Sequence, residues 1–460
     1  MTDSFNEEIS NSRLATKLKK YINSQGNLKH QLPNLYYCGR KVIHAVGSEP
    51  AVFLLANEKD EVRVFGNATC HSAWACPTCT AKVMAKKGTD IACMIDLQAK
   101  WYNKNAFMLT FTLPHTANMS CSDTYEIIRK TWRHFIRNGN GHKSKREYVL
   151  KKDHTGKEEK GKYKNIIGKA GEVRTYYNGN DPYGNFRTEL DIKLTLKVWE
   201  FTWGENSWHP HIHALFWTDA KNFKDDSITK HIKILNERWW QCAKYCTEKL
   251  FGKEFMENLY TDWRKEHPGI TLSTDKNGLP RVQCSSHYIT GWSGDTELTK
   301  GTSKFKQAKS GHLTPFQIIA KTETDPENWQ KWMNLYIEYA LATKNSRRVE
   351  WSKGHGIFIR DLINKWKRTN DYIELVKKKV SDKAHEWRMV YWFSEKQWSE
   401  ICWLNVTTPH QVITEILIRV VNKQALEEYL QELEIPLTTR KHNREKHIVN
   451  NIFENRILAA

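Results

Sequence analysis

The stretch Trp208-His209-Pro210-His211-Ile212-His213-Ala214-Leu215-Phe216-Trp217 constrains this chain more than any other. Strand alternation sends His211, His213, Leu215 and Trp217 to one face and Ile212, Ala214 and Phe216 to the other. Two imidazoles separated by one apolar residue therefore point the same way, which suits a divalent ion lying on an open sheet face. Upstream, residues 194–202 also read as a strand, and Trp203-Gly204-Glu205-Asn206-Ser207 supplies turn residues. A hairpin centred near Asn206 sets Glu200 opposite His211 or His213, on the same face. The ordinary alternative is a pair of half-exposed imidazoles with a cross-strand carboxylate partner. Apolar flanks that bury the strand favour ligation. Two neutral imidazoles with one carboxylate, in a site open to oxygen ligands and water, favour Mg2+ or Mn2+ in a catalytic role.

A second metal pattern lies nearer the N-terminus. Cys76-Pro77-Thr78-Cys79 is a tight turn that brings two thiolates to one tetrahedral ion, and Cys70 and Cys38 can complete a structural zinc site. His71 is an alternative fourth ligand. A redox Cys-x-x-Cys would begin a helix after a strand and need no further cysteines, so zinc is the reading. Cys242 and Cys246 stand at helical spacing and read as packing.

The chain has 460 residues, enough for two or three domains, and a net charge of +19. That charge points to a polyanionic partner, with nucleic acid first. The cations are interleaved with 19 Trp and 18 Tyr, a composition that suits base stacking on single strands, although most Trp belong to cores. No hydrophobic run approaches a membrane span, and the N-terminus is polar and acidic, so a soluble intracellular protein is expected.

Residues 1 to about 30 are polar and Lys-rich, expected to order poorly or form a short helix. A helix is expected from Ala81 to Ala99. Residues 106–114, apolar on both faces, should form a central strand. Asp123 with Glu126 reads as a capping box opening a helix, with Ile128, Trp132 and Phe135 along one face and a basic outer side. Residues 141–170 read as a charged, solvated insertion, with a phosphate-contacting loop as the alternative. Residues 232–250 read as a helix, as does the stripe Trp329, Trp332, Met333, Tyr336 and Ile337. Beyond about residue 365 the pattern is helical and basic. No phosphate-binding Gly-x-x-x-x-Gly-Lys-Ser/Thr loop occurs.

The string from Glu200 to Phe216 resembles the metal-binding motif of HUH endonucleases. More narrowly, it is similar to that of the replication-initiator (Rep) proteins of rolling-circle plasmids. The cysteine block at 38–79, residues 106–114, the segment His312 to Gln317 and the segment Arg347 to Gly354 resemble the same family. The resemblance implies an α+β fold: an antiparallel five-stranded sheet flanked by helices, with the histidines on a central strand. It implies three regions: an N-terminal segment with the four-cysteine module (1–99), the nuclease core (100–320) and a helical C-terminal region (321–460). In His287-Tyr288-Ile289-Thr290-Gly291-Trp292, Tyr288 takes the position of the family's nucleophile. The family's Lys three residues later is Gly291 here, and the Glu that some relatives place four residues before the Tyr is Cys284. Glu297, Lys300 and Lys304 lie nearby. The chemistry implied is site-specific cleavage of a DNA strand to a 5′-phosphotyrosine and a free 3′-OH primer, with rejoining at termination. Partners would be a single-stranded or hairpin origin, a host helicase and a host DNA polymerase, in a bacterial cytoplasm. A transposase or mobilisation relaxase of the same superfamily is the alternative within the class. A non-catalytic zinc-containing DNA-binding regulator, with Gly291 marking a lost site, is the alternative outside it.

Overall fold

The structure, a computed structural model, describes residues 5–42, 45–46, 49–57, 62–136, 145–148, 151–152, 158–159, 173–176, 182–192, 194–219, 225–261, 268–273, 312–352, 356–368, 387–408, 411–420 and 422–436. Helix α1 (Phe5–Ser24) is longer than the polar N-terminus suggested and is followed by strands β1 (Glu49–Asn57) and β2 (Val62–Phe65). Helix α2 (Pro77–Tyr102) starts on Pro77, where a missing N–H costs nothing, and stops at Asn103 in the left-handed region (φ 48°). Strand β3 (Lys104–Phe111) and helix α3 (Cys121–Ile136) come next. The long hairpin is β4 (Leu194–Gly204) and β5 (Ser207–Asp219), followed by α4 (Asp225–Phe251) and β6 (Ile270–Leu272). After residue 312 come α5 (Pro315–Thr324), α6 (Trp329–Ala342), β7 (Val349–Trp351) and α7 (Gly356–Lys367). The last elements are β8 (Trp387–Ser394), α8 (Glu395–Thr407), α9 (Val412–Arg419) and α10 (Lys423–Glu432).

Five strands form one antiparallel sheet in the order β6-β3-β5-β4-β7, so the histidine strand is central and β3 lies beside it. Its two faces follow from the period of two along each strand. Phe107, Leu109, Phe111, Trp199, Phe201, Ile212, Ala214 and Phe216 belong to one core with α3, α4, α5 and α6. On the other face, Ala106, Met108, Leu194, Leu196, Val198, Leu215 and Trp217 pack against α2 and α7. Those two helices cover only half of that face. The other half holds Thr110, Glu200, His209, His211 and His213.

Helix α3 forms for the expected reason, with its cap displaced. Ser120, not Asp123, begins it: the Asp123 carboxylate accepts from the Ser120 hydroxyl at 2.7 Å, and the Asp123 N–H donates back to Ser120 Oγ at 3.1 Å. Glu126, freed of capping, pairs with Arg129 and Lys130 on the outer side. Ile127, Ile128, Thr131, Trp132 and Phe135 are buried beneath, each large apolar side chain contributing about 1.5–3 kcal/mol. From the charged stretch, Lys145–Tyr148 pairs with Val173–Tyr176 just beyond it, and Lys151–Lys152 pairs with Glu158–Glu159.

The C-terminal region is not wholly helical, which corrects the sequence reading. Strand β8 pairs antiparallel with β1, from the opposite end of the chain. Trp387-Arg388-Met389-Val390-Tyr391-Trp392-Phe393 is rich in strand-favouring residues, but its partner is so distant that nothing local reveals the pairing. Val52, Leu54, Val62, Tyr391, Phe393 and Trp398 share a second core with α8, α9 and α10. Helix α1 joins this unit to the rest, since Asn405 donates to Thr16 Oγ1 at 3.1 Å and α1 packs on α2, α8 and α9.

Candidate metal centres

The β4–β5 turn is the two residues Glu205-Asn206, closed by the pair Gly204 and Ser207. Ser207 adopts φ 72°, a region costly for a residue with a Cβ, and its hydroxyl donates to Met119 O at 2.9 Å. This turn sets the register. Glu200 stands directly opposite His211, with His213 two residues along on the same face. His211 Nε2 lies 2.9 Å and His213 Nε2 2.8 Å from the same oxygen, Glu200 Oε2. Burial pushes the Glu200 carboxyl up, but the hydrogen bonds and charge of the two imidazoles outweigh it and hold the carboxyl well below the usual range.

These three side chains fit a divalent ion, since their ligand atoms all lie within 4.8 Å of one another. Ligation through Nε2 requires the proton on Nδ1, and His213 Nδ1 has a partner for it in Thr110 Oγ1 at 3.0 Å. His211 Nδ1 is buried with no hydrogen-bond partner among the described residues. Donor chemistry of two nitrogens and one carboxylate oxygen suits Mg2+ or Mn2+ as well as other divalent ions.

Beside this cluster runs a chain of hydrogen bonds that the sequence reading did not anticipate. His115 Nδ1 faces the Asn206 carbonyl, an acceptor only, so it carries the proton. His115 Nε2 must then accept, and His209 Nδ1, 2.7 Å away, donates to it. His209 Nε2 in turn accepts from the Thr112 hydroxyl at 3.0 Å. Both imidazoles are neutral. Burial, then the neighbouring His211, His115 and His312, pushes His209 down to about 2, and burial lowers His115. His312 enters from a different element: Leu313 pairs with Trp203 through bonds of 2.7 and 2.8 Å, which lays the His312 ring against Gly204. A Cβ on Gly204 would sit 2.7 Å from His312 Cε1, so only glycine leaves room. Period-two alternation from His211 was sufficient to find His209. His115 and His312 gave no signal in the sequence, because tertiary pairing alone brings them here.

Cys38, Cys70, Cys76 and Cys79 also come together, all four as free thiols with sulfurs within 4.8 Å of one another. Cys38 Sγ is 3.4 Å from Cys79 Sγ and 3.6 Å from Cys76 Sγ. A tetrahedral ion with bonds of about 2.3 Å needs sulfurs about 3.8 Å apart, so the cluster fits zinc with little adjustment. Hydrogen bonds from the other three cysteines hold the Cys38 thiol far below its ordinary value. His71 does not join them: it is exposed, at φ 50°, and faces Thr69 Oγ1. No other group of three or more His, Cys, Asp or Glu side chains is gathered for a metal among the described residues.

Tyr288 falls outside the described residues, as do Cys284, Gly291, Glu297, Lys300 and Lys304. Tyr245, a competing tyrosine that also follows the histidines and has Lys244 beside it, sits on α4 with its ring 5.0 Å from that of His134 of α3. Both helices pack on the sheet face opposite Glu200, His211 and His213. No helix of the described residues is long and apolar enough to cross a membrane.

Comparison with known proteins finds one distant relative, a protein named "Protein rep" from Streptomyces lividans. It is 21% identical over 333 residues, covering 65% of this chain. The match spans 64% of the relative's length, under two thirds. No protein-family model matches the chain, and no solved structure does.

Proposed function

We propose that this chain is a rolling-circle replication initiator: a metal-dependent HUH endonuclease that cuts one DNA strand at a specific site and later rejoins it. The observation that carries the reading is the convergence of His211 Nε2 and His213 Nε2 on Glu200 Oε2, on the half of the sheet face that α2 and α7 do not occupy. The distant relative's name supports a replication protein, and the charge of +19 supports a DNA partner. Glu200, His211 and His213 would hold Mg2+ or Mn2+, which when bound supplies Lewis-acid polarisation of the scissile phosphate. The Tyr288 phenol oxygen attacks phosphorus, forming the Tyr–phosphorus bond as the bond to the 3′ oxygen breaks. Its proton passes to solvent, and the 3′ oxygen takes one up as a free hydroxyl. The reverse attack by a 3′-OH rejoins strands and frees Tyr288. A host DNA polymerase extends the hydroxyl, and a host helicase unwinds the template, in the bacterial cytoplasm. Cys38, Cys70, Cys76 and Cys79 hold a structural zinc.

Chain connectivity favours Tyr288 over Tyr245. On the chain before Tyr288 the Ser273 N–H donates to Met108 O at 3.0 Å, and on the chain after it Leu313 pairs with Trp203. Both anchors lie on the sheet that carries the cluster, whereas α4 fixes Tyr245 against the other face.

The test is incubation of the protein with 3′-labelled single-stranded origin DNA and Mn2+, followed by mass spectrometry of any covalent adduct. The adduct should form on Tyr288 and disappear in Tyr288→Phe, His211→Ala and His213→Ala, with DNA binding retained. Cleavage at the wild-type rate by both histidine variants, or a nucleotide on Tyr245, would refute the assignment. Binding without any adduct would instead fit a zinc-containing DNA-binding regulator.

A further inference from the structure

Residues 343–348 form the loop between α6 and β7, which leads into an edge strand of the large sheet. Between this loop and α3 lies a cleft of about 400 Å3 whose lining includes Arg129, Arg133, Lys197, Lys344 and Arg347. Two of these cations are compensated. Arg129 makes a bidentate pair with Glu126, and Lys197 Nζ lies 2.9 Å from Glu350. Lys197 is nearly enclosed, its ammonium 4.8 Å from the Trp199 ring and 5.7 Å from the Trp132 ring. Burial lowers its pKa, Glu350 works against that, and the guanidinium groups of Arg133 and Arg129 lower it further. Arg133, Lys344 and Arg347 are exposed and make no ion pair among the described residues. Ser122 and Asn345 add neutral polar groups to the same walls.

Like charges gathered this way repel one another unless an anion lies between them. The loop cannot relax that repulsion freely, because it is tied down from behind. Trp74 Nε1, in the loop between Cys70 and Cys76, donates to Ser346 O at 3.0 Å. Arg348 Nη1 donates to Ala73 O and its Nε to Trp199 O, both at 3.3 Å. The four-cysteine module therefore holds the cations in place, and Asn345 turns the chain at φ 62°.

We propose that this cleft is a phosphate-binding site for a DNA backbone, on the sheet face opposite Glu200, His211 and His213. It deepens the function proposed above and rests on that reading. Phosphate contacts here would fix the position of DNA flanking the cut without reading its sequence. An acidic protein surface is the rival occupant, and the salt dependence of DNA binding separates the two.

The experiment compares the full-length, zinc-loaded protein with Arg133→Ala/Arg347→Ala and with Lys253→Ala/Lys423→Ala, a charge-matched control whose lysines do not line the cleft. Affinity for origin DNA is measured by fluorescence anisotropy across a salt series. Each lost phosphate contact flattens the slope of log K against log salt by about 0.7 on a single strand and about 0.9 on a duplex, so the arginine variant should lose about 1.4–1.8 from the slope. The control should match wild type in slope and in adduct formation. A wild-type slope and affinity in the arginine variant would overturn the proposal and favour the acidic-protein occupant, leaving the nuclease reading intact. A flattened slope in a protein that forms no adduct would support the cleft and remove the nuclease. Wild-type protein that binds no DNA would overturn both.

Discussion

Thr110→Val removes one hydroxyl from the neighbourhood of His213 and little else. Valine keeps the branched shape that suits β3, so the sheet should form as before. The lost bond is the 3.0 Å contact between Thr110 Oγ1 and His213 Nδ1. His213 is 6% exposed, so solvent cannot readily replace the partner. An unsatisfied buried nitrogen costs about 1–3 kcal/mol, but that cost falls on the metal-free and metal-bound proteins alike and appears as lost stability. Metal affinity changes only by the part specific to ligation, where Nδ1 must carry the proton and Thr110 must hold the ring's aim. Such partners are worth about 10–100-fold in affinity, and with much of the cost common to both states the expected effect is about tenfold, or about 1.4 kcal/mol. Calorimetric titration of the zinc-loaded protein with Mn2+ measures it directly. Thr110→Ser, which restores the hydroxyl, should recover most of the affinity. A Thr110→Val dissociation constant equal to wild type would show that Nδ1 of His213 does not need this partner, and that the ligation scheme is wrong.

Other perturbations follow from the same geometry. Cys76→Ser should abolish zinc, about one per chain in the wild type, and lower the melting temperature; elemental analysis that still finds zinc would refute the four-thiolate site. Gly204→Ala should cost about 1–3 kcal/mol of unfolding free energy in denaturant, since the new methyl meets the His312 ring. The folded pKa of His209 is depressed to about 2 from an ordinary 6.5, so the unfolded chain binds more protons between those values. Its contribution to stability is therefore complete above about pH 6.5 and lost as pH falls towards 2. His209→Asn should flatten the pH dependence of the melting temperature over that window, and an unchanged profile would count against a buried neutral imidazole.

What the sequence made legible here is what lies close in the chain. Glu200, His211 and His213 belong to one hairpin, and a turn at Asn206 with period-two alternation is enough to place them on one face. Cys70, Cys76 and Cys79 are nearly contiguous, and only Cys38 had to be brought from further away. The two misplacements differ in cause. Asp123 with Glu126 matches a capping box by spacing, yet Ser120 with Asp123 matches one three residues earlier, and Glu126 pairs with Arg129 and Lys130 instead. Nothing local reveals the pairing of β8, because its partner, β1, lies near the other end of the chain.

The least legible residues are those that support the histidines. Thr110 reaches His213 only because β3 pairs with β5, and His115 reaches His209 only because the turn at Asn206 folds back over the end of β3. His312 depends on the bridge between Leu313 and Trp203, and Arg348 on the edge strand β7. A motif therefore identifies the ligand atoms without establishing that they are held in a ligating state. The tautomer of His213, and so whether its Nε2 lone pair is free for an ion, is decided by a partner supplied from another strand. For that reason a change at Thr110, a residue with no ligand atom of its own, discriminates between a working metal centre and a row of structural histidines more sharply than removal of His211 or His213, which would disable either.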